Sequence, residues 1–279
     1  MPAPDGDIYV SPVYLAGSTH TGDPALQPLL DQDFRLHRDD LGNVYVSSPE
    51  QHIRLGYLPE GEDSTLWKIA VHSDPFGPPR WVATFDNATP TELVAVFTTA
   101  LAQDYQRGHD TYLYGNTSRA TGFQPLIDAG WQTGKTPHVS VSTPPDGLAE
   151  LAYANGSLDH QSELSGDGER WIAWGGRDGY GSRWWASFTT HTPAHLIAAT
   201  MTALADPTPV ARCESEVPNR NRGAARVTPV EPPVPTPLDV RRASAARSRS
   251  TTPRPFSASP ATPAQRPGAC LSLPSSRRR

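Results

Sequence analysis

The chain repeats part of itself, and this duplication limits its possible folds more than any other feature of the sequence. Residues 80–85, RWVATF, return as residues 183–188, RWWASF. Four further blocks recur in the same order: 28–34 with 125–131, 74–77 with 178–181, 89–90 with 192–193, and 99–102 with 202–205. Because every matching block keeps its place, we predict one folding unit that is present twice.

Each copy shows the hydrophobic pattern of two β-hairpins. In the first copy, residues 44–46 lead through a turn at 48–50 to residues 53–57, which alternate apolar with polar or small side chains, as a half-buried strand does. Residues 66–71 and 80–85 form the second pair. The loop between them, DPFG, has turn-forming residues at every position except Phe76. We therefore predict four antiparallel strands in each copy.

A helix follows the strands of each copy. In the first copy we predict Thr89 as the N-cap residue and Pro90 at the first helical position, with Glu92 completing a capping box. Apolar side chains then recur at helical spacing over residues 93–101, and the same stripe returns in the second copy. Such an apolar stripe is expected to pack across a sheet.

The fold class follows from these elements. A shorter helix is expected before the strands, around residues 24–31 and 123–128. The prediction is an α+β fold made of two tandem copies of a four-stranded antiparallel sheet with a C-terminal capping helix, α-β-β-β-β-α twice, and then a disordered tail. The predicted boundaries are 8–106 for the first repeat, 107–210 for the second repeat and 211–279 for the tail.

Charge is divided unevenly between this body and its tail. Residues 211–279 hold thirteen Arg and four acidic residues, a formal charge of +9, which leaves −14 for residues 1–210. A body this acidic repels phosphate backbones, so nucleic acid is a possible partner only through the tail. The tail is rich in Pro, Arg and Ser and poor in apolar residues, a composition typical of disorder.

Composition also indicates a compartment. The first residues, MPAPDGD, lack the basic and apolar regions of a secretory signal. No stretch approaches the roughly 20 apolar residues of a membrane span. Both cysteines, Cys213 and Cys270, lie in the predicted tail, which excludes a disulfide framework from the body. We therefore expect a cytoplasmic protein that makes no contact with a membrane.

Aromatic and arginine side chains around the second hairpin of each copy are the candidates for ligand binding. These candidates are Trp171, Trp174, Trp184, Trp185, Arg80 and Arg183. The neighbours Trp184 and Trp185 must point to opposite faces of a strand, so one of them can be exposed to a partner, although burial under a helix is the alternative. Arg80 and Arg183 occupy matching positions, where they could bind a carboxylate ligand or pair with an aspartate at the strand end.

Residues with catalytic or metal-binding spacing have simpler interpretations. His191 and His195 have the spacing of zinc ligands on a helix, but they straddle the predicted helix start, so we expect no metal site. Asp74 and Asp178 could act as paired carboxylates, but each opens the same turn of its own copy, which favours a turn role. We expect no cofactor. The sequence shows no phosphate-binding loop and no nucleophile elbow, and it therefore favours a protein that is not an enzyme.

Several segments resemble the SPDY-domain family, a domain of unknown function found mainly in high-GC actinobacteria. They are residues 10–17 (VSPVYLAG), 48–57 (SPEQHIRLGY) and 74–101, which run from DPFG to TTAL. Members of this family often carry the domain twice. The resemblance therefore implies two tandem copies over roughly residues 8–210, and it implies no activity.

Three functional hypotheses remain open. The first is a binding or adaptor protein that recognises a protein partner through a sheet face or through the groove between the copies. The second is a single-stranded nucleic-acid-binding protein that uses sheet aromatics and the basic tail. The third is a hydrolase with an unrecognised site in the cleft between the copies. Duplication without a catalytic signature favours the first.

Overall fold

A computed structural model describes residues 7–59, 61, 64–230 and 241 of the chain. The chain divides into two compact units, Met1–Val230 and Glu231–Arg279. All helices and strands discussed below belong to the first unit. Most of the predicted disordered tail, residues 231–240 and 242–279, lies outside the described residues.

The first repeat spans residues 23–107 and follows a short strand, β1 (Ile8–Ser11). Its elements are α1 (Asp23–Leu30), β2 (Arg35–Arg38), β3 (Val44–Ser47), β4 (Ile53–Tyr57), β5 (Thr65–Val71), β6 (Trp81–Asp86) and α2 (Thr91–Arg107). A short helix, α3 (His109–Tyr114), connects it to the second repeat.

The second repeat spans residues 119–205 and has the same order of elements, with one additional helix, α5. Its elements are α4 (Arg119–Asp128), β7 (Gln132–Lys135), β8 (Val139–Thr143), β9 (Ala149–Ala154), α5 (His160–Ser165), β10 (Trp171–Gly175), β11 (Trp184–Phe188) and α6 (Ala194–Ala205). Three short elements complete the unit: β12 (Val210–Arg212), α7 (Asn219–Arg222) and β13 (Arg226–Pro229).

The strands of both repeats form one antiparallel sheet of ten strands, in the order β2-β3-β4-β5-β6-β11-β10-β9-β8-β7. The predicted α+β class is confirmed, but the prediction of two separate four-stranded sheets is wrong. Each repeat contributes five strands, one more than predicted. The prediction did not include β2 and β7. Every residue of these two edge strands is exposed, so neither strand carries the apolar alternation that reveals a half-buried strand.

The two repeats meet where β6 pairs with β11, and this junction is symmetric. Thr84 lies opposite Ser187, and these residues occupy the same position in the two copies of the RWVATF block. Phe85 pairs with Ala186, and Ala83 pairs with Phe188. Exchanging the repeats reproduces these pairs, so a local two-fold axis passes between Thr84 and Ser187. The chain thus resembles a symmetric dimer of one unit in a single polypeptide.

Helices of both repeats pack against one face of this sheet. In the helix layer α1 contacts α2, α2 contacts α6, and α6 contacts α4. The core beneath the junction is aromatic: the ring of Phe97 in α2 lies 5.6 Å from that of Phe85 and 5.7 Å from that of Phe188. In the second repeat, Phe123 of α4 packs on Trp171 at 5.6 Å. The core is therefore continuous across the repeats.

The predicted helix after the first set of strands is present, but it begins later than expected. Pro90 is its N-cap residue, and no side chain caps the helix at that position. The hydroxyl of Thr89 instead lies 2.7 Å from Asp86 Oδ1 and 3.2 Å from the carbonyl oxygen of Trp185. Glu92 pairs with Arg212 instead of completing a capping box. Contacts between distant segments have therefore replaced the local cap.

The first part of the predicted tail is folded, which corrects the boundary at residue 211. Strands β12 and β13 pair with either side of β1 to form a separate three-stranded sheet. Arg212 is completely buried: its guanidinium group binds Glu92 and the carbonyl oxygen of Gly17. The basic composition of this segment suggested disorder, but Arg212 forms a buried ion pair with Glu92. Among the described residues no helix is both long and apolar enough to cross a membrane.

Candidate functional site

The sheet face opposite the helix layer carries a large groove at the junction of the repeats. The groove has a volume of about 1150 Å³. Its floor is formed by β5, β6, β11 and β10, and its sides include the loop before β5 and the end of α5. These two sides follow equivalent strands, β4 and β9, of the two repeats. The strand residues that line the groove include Lys68, Thr84, Asp86, Ile172, Trp185 and Ser187.

The centre of the floor is a pair of hydroxyl groups. Thr84 Oγ1 and Ser187 Oγ lie 2.7 Å apart across the local two-fold axis. Lys68 on β5 lies opposite Thr84, and Ile172 on β10 lies opposite Ser187. The two halves of the groove therefore differ chemically, with a cation beside the axis in the first repeat and an aliphatic side chain in the second.

Asp86, at the end of β6, lines the groove, and no cation among residues 7–59, 61 and 64–230 bonds to its carboxylate. Its Oδ1 accepts hydrogen bonds from the Thr89 hydroxyl at 2.7 Å and from the N–H of Ala88 at 3.2 Å. Burial raises the pKa of Asp86 to about 6, although these hydrogen bonds and one from the N–H of Trp185 oppose the shift. The side chain therefore titrates near neutral pH inside a groove, as functional carboxylates often do.

The equivalent position in the second repeat holds a neutral residue. Thr189 occupies the position equivalent to Asp86, and its hydroxyl accepts a hydrogen bond from the N–H of Val82 at 3.0 Å. At the matching strand end, the N–H of Trp185, the residue equivalent to Val82, lowers the pKa of Asp86. A neutral hydroxyl can thus accept the hydrogen bond from the backbone N–H at this strand end. The junction therefore does not need the negative charge of Asp86.

Besides Asp178, which pairs with Arg183, the acidic residues Glu163 and Glu169 line the groove on the side of the second repeat. Burial raises the pKa of Glu169. Glu163 of α5 is buried, and its carboxylate accepts hydrogen bonds from the N–H and the hydroxyl of Thr190, both at 2.5 Å. Arg170 lies 3.9 Å from Glu163, so this second carboxylate belongs to the internal structure of the repeat.

The four predicted tryptophans divide between the two faces of the sheet. Trp171 and Trp184 are buried in the core on the helix side, so they cannot contact a partner directly. Trp174 and Trp185 lie on the opposite face as a cross-strand pair with their rings 6.3 Å apart. Trp185 is 45% exposed and lines the groove, which makes it the accessible aromatic residue among the four.

The two predicted arginines have different surroundings despite their matching positions. Arg183 pairs with Asp178 at 2.6 Å, and its guanidinium group lies 4.2 Å from the ring centroid of Trp174 and 5.8 Å from that of Trp185. Arg80 donates a hydrogen bond to the carbonyl oxygen of Leu113 at 2.8 Å and lies over the ring of Tyr114. Arg183 therefore lines the groove, whereas Arg80 contacts α3, the short helix that connects the repeats.

The turns between the hairpin strands present two fully exposed aromatic residues. Phe76 is 99% exposed and Tyr180 is 102% exposed, and they occupy matching positions of the two repeats. Asp74 accepts a hydrogen bond from the N–H of Phe76 at 3.0 Å, which is the turn role predicted for it. Only Tyr180 lines the groove.

The histidines singled out in the sequence lie apart from the groove. His195, in the first turn of α6, pairs with the buried carboxylate of Asp104 in α2, and no Ser or Thr hydroxyl among the described residues bonds to its ring. His191 packs beside His160, with ring centroids 5.2 Å apart. No group of three or more His, Cys, Asp or Glu within the described part of the chain is placed to hold a metal ion.

Four residues that line the groove were not predicted from the sequence as site residues: Thr84, Ser187, Lys68 and Asp86. One signal could have found the first two: the matching blocks place them at equivalent positions of two strands, and symmetric antiparallel pairing sets one such pair on the axis. For Lys68 and Asp86 the sequence offered no comparable signal, because nothing in it showed which edges of the repeats would join.

The chain is thus a tandem duplication of an α+β unit whose halves share one sheet. The family model of SPDY, described as a domain of unknown function (DUF317), matches residues 47–106 and 143–210. The resemblance seen in the sequence is confirmed, and the matched regions fit two copies of this domain. Searches of curated proteins and of solved structures gave no match.

Proposed function

We propose that this chain is a binding or adaptor protein and that the groove at the junction of the repeats is its docking surface for a protein partner. The single observation that carries the proposal is the placement of the helices on one face of the sheet, which leaves a groove of about 1150 Å³ on the other. Small-molecule pockets occupy about 300–1,000 Å³. A groove above that range, with a polar floor and an exposed tryptophan, suits a polypeptide.

The charge of the groove favours a protein partner over a nucleic acid. Asp86, Glu169 and Glu216 line the groove together with one lysine, Lys68. Phosphate backbones are repelled by such a surface. Nucleic-acid-binding sheets stack successive bases on several exposed aromatic side chains. Of the four predicted tryptophans, Trp185 alone is classed as exposed, so the sheet face offers little surface for such stacking.

Site-specific photocrosslinking tests the proposal. Tyr180 at the rim of the groove and Phe76 at the matching turn outside it are both fully exposed, so each can be replaced by benzoylphenylalanine with little effect on folding. In a lysate of the source organism, we expect the probe at position 180 to yield a protein adduct that the probe at position 76 does not yield. Identical adducts from both positions would contradict a docking surface in the groove.

Trp185→Ala is expected to reduce the yield of the adduct at position 180 by at least about tenfold, because exposed tryptophans at the centre of an interface are frequent hot spots. The free energy of unfolding should change by less than about 1 kcal/mol, since the side chain is 45% exposed. Chemical denaturation measures the second quantity. Phe76→Ala removes an exposed aromatic residue outside the groove and is the matched control. An unchanged adduct in folded Trp185→Ala would count against the proposal.

A further inference from the structure

Asp86 is a groove carboxylate that accepts hydrogen bonds from neutral donors only, among the residues that the structure describes. The Thr89 hydroxyl and the N–H of Ala88 donate to its Oδ1, and the backbone N–H groups of Thr89 and Trp185 also lower its pKa. Within the described part of the chain no cation pairs with Asp86, so burial has removed water from the carboxylate without supplying a positive charge. A cationic group that entered the groove would therefore gain a charge-assisted contact with Asp86.

The charge of Asp86 lowers the stability of the fold. Because its pKa is raised to about 6, the folded state binds more protons than the unfolded state between about pH 4 and pH 6, and stability decreases as pH rises through that window. Asparagine would accept the same hydrogen bonds from Thr89 and Ala88 without this loss. The repeat-two equivalent, Thr189, is neutral. Among the described residues no cation pairs with Asp86, so a cationic ligand would recover part of this loss.

Other charged groups around the groove leave a net negative surface. Arg183 and Asp178 neutralise each other at 2.6 Å, and Glu163 is held by Thr190 and Arg170 inside the second repeat. Among the described residues, the groups that remain facing the groove come from five different segments of the chain. They are Lys68 on β5, Asp86 on β6, Glu169 before β10, Glu216 after β12 and His20 before α1.

The aromatic patch beside Asp86 already accommodates a guanidinium group. Arg183 stacks 4.2 Å from the ring centroid of Trp174 and lies 5.8 Å from that of Trp185. Trp185 remains 45% exposed, so it can also contact a cation that enters from solvent. The Thr89 hydroxyl lies 2.7 Å from Asp86 Oδ1 and 3.2 Å from the carbonyl oxygen of Trp185, so the carboxylate lies close to the backbone of Trp185.

We propose that the groove binds an extended, positively charged segment of a partner protein, and that an arginine or lysine of this segment pairs with Asp86 beside Trp185. The proposal rests on the proposed function, because it names the chemistry of the partner for the same surface. Charge complementarity selects the cationic segment. The loop before β5 and the end of α5 flank the groove on two sides, and this shape favours an extended chain over a globular surface.

Peptide binding by the full chain tests the proposal. A fluorescein-labelled peptide of six Arg-Gly units is titrated at pH 7.5 and low salt, and its anisotropy is compared with that of a peptide of six Glu-Gly units. We expect the arginine peptide to bind and the glutamate peptide not to bind. Asp86→Asn should weaken arginine-peptide binding by about tenfold, through loss of one charge-assisted contact. Asp128→Asn, which removes an exposed charge on α4, should leave it within about twofold.

The affinity for the arginine peptide should also depend on pH. Wild-type binding is expected to weaken by about tenfold between pH 7.5 and pH 5, because a carboxyl with a pKa of about 6 is largely protonated at the lower value. Asp86→Asn should show a clearly smaller change over the same range. Equal pH dependence in the two proteins would overturn the assignment to Asp86.

Failure of this inference is distinguishable from failure of the proposed function. Equal losses in Asp86→Asn and Asp128→Asn would show attraction to the acidic body as a whole and would overturn the inference. If the probe at position 180 still captured a partner in that case, docking in the groove would stand with a different chemistry. If that probe captured nothing and the arginine peptide bound independently of Asp86, both proposals would be wrong.

Discussion

Replacing Glu92 by glutamine is expected to lower the free energy of unfolding by about 3 kcal/mol. Glu92 binds Arg212 through both carboxylate oxygens, at 2.6 and 2.7 Å. Arg212 has no exposed surface, whereas the Glu92 side chain is 37% exposed. The neutral variant therefore leaves an uncompensated guanidinium group in the interior, and this penalty exceeds the value of the contact itself.

Urea denaturation of Glu92→Gln and of Glu50→Gln measures this effect. Glu50 is exposed, and its contact with the Tyr105 hydroxyl can be kept by glutamine, so that variant should change stability by less than about 0.5 kcal/mol. Adding Arg212→Met to Glu92→Gln should recover part of the loss, because the unpaired charge is removed. A loss below 0.5 kcal/mol in Glu92→Gln, or an additive loss in the double variant, would contradict this account.

Periodicity predicted the elements whose side chains alternate between core and solvent. Strands β4, β5 and β6 are half-buried in this way, and each was expected close to its observed position. The edge strands β2 and β7 have no buried residue, so local pattern carried no information about them. They pair with β3 and β8, the strands that follow them directly in the sequence. Such hairpin pairing uses backbone hydrogen bonds and requires no alternation of apolar side chains.

The joining of the repeats was outside the reach of local pattern. Duplication predicted two similar units, but an antiparallel pair between β6 and β11 depends on contacts between residues about one hundred positions apart. The same limitation applies to the candidate site. Trp185 was predicted as one of two alternatives on its strand, because alternation shows that neighbours face opposite ways and not which neighbour is buried.

Composition misplaced the end of the folded body for a related reason. Arginine-rich, proline-containing sequence is typical of disorder, and this criterion placed residue 212 in the tail. The segment folds because β1 offers two free edges and because Glu92 offers a partner for Arg212. Both partners lie more than one hundred residues earlier in the chain.

Phe188→Ala is expected to destabilise both repeats together, by about 4 kcal/mol. The Phe188 side chain is buried in the second repeat, but its ring lies 5.7 Å from Phe85 and 5.7 Å from Phe97 of the first repeat. The cavity left by alanine would thus open beneath the junction of β6 and β11, where the core belongs to both units. Phe76→Ala, which removes a fully exposed phenyl ring, is the matched control, with an expected change below about 0.5 kcal/mol.

Hydrogen exchange followed by mass spectrometry distinguishes a shared loss from a local one. In Phe188→Ala, amide protection in β5 and β6 should decrease to the same extent as protection in β10 and β11, because a ten-stranded sheet with one continuous core unfolds as one cooperative unit. Denaturation followed by tryptophan fluorescence and by circular dichroism should give coincident transitions at a lower midpoint. Two separate transitions, or normal protection in β5 and β6 beside weakened protection in β10 and β11, would show that the repeats fold independently and that the shared sheet does not couple them.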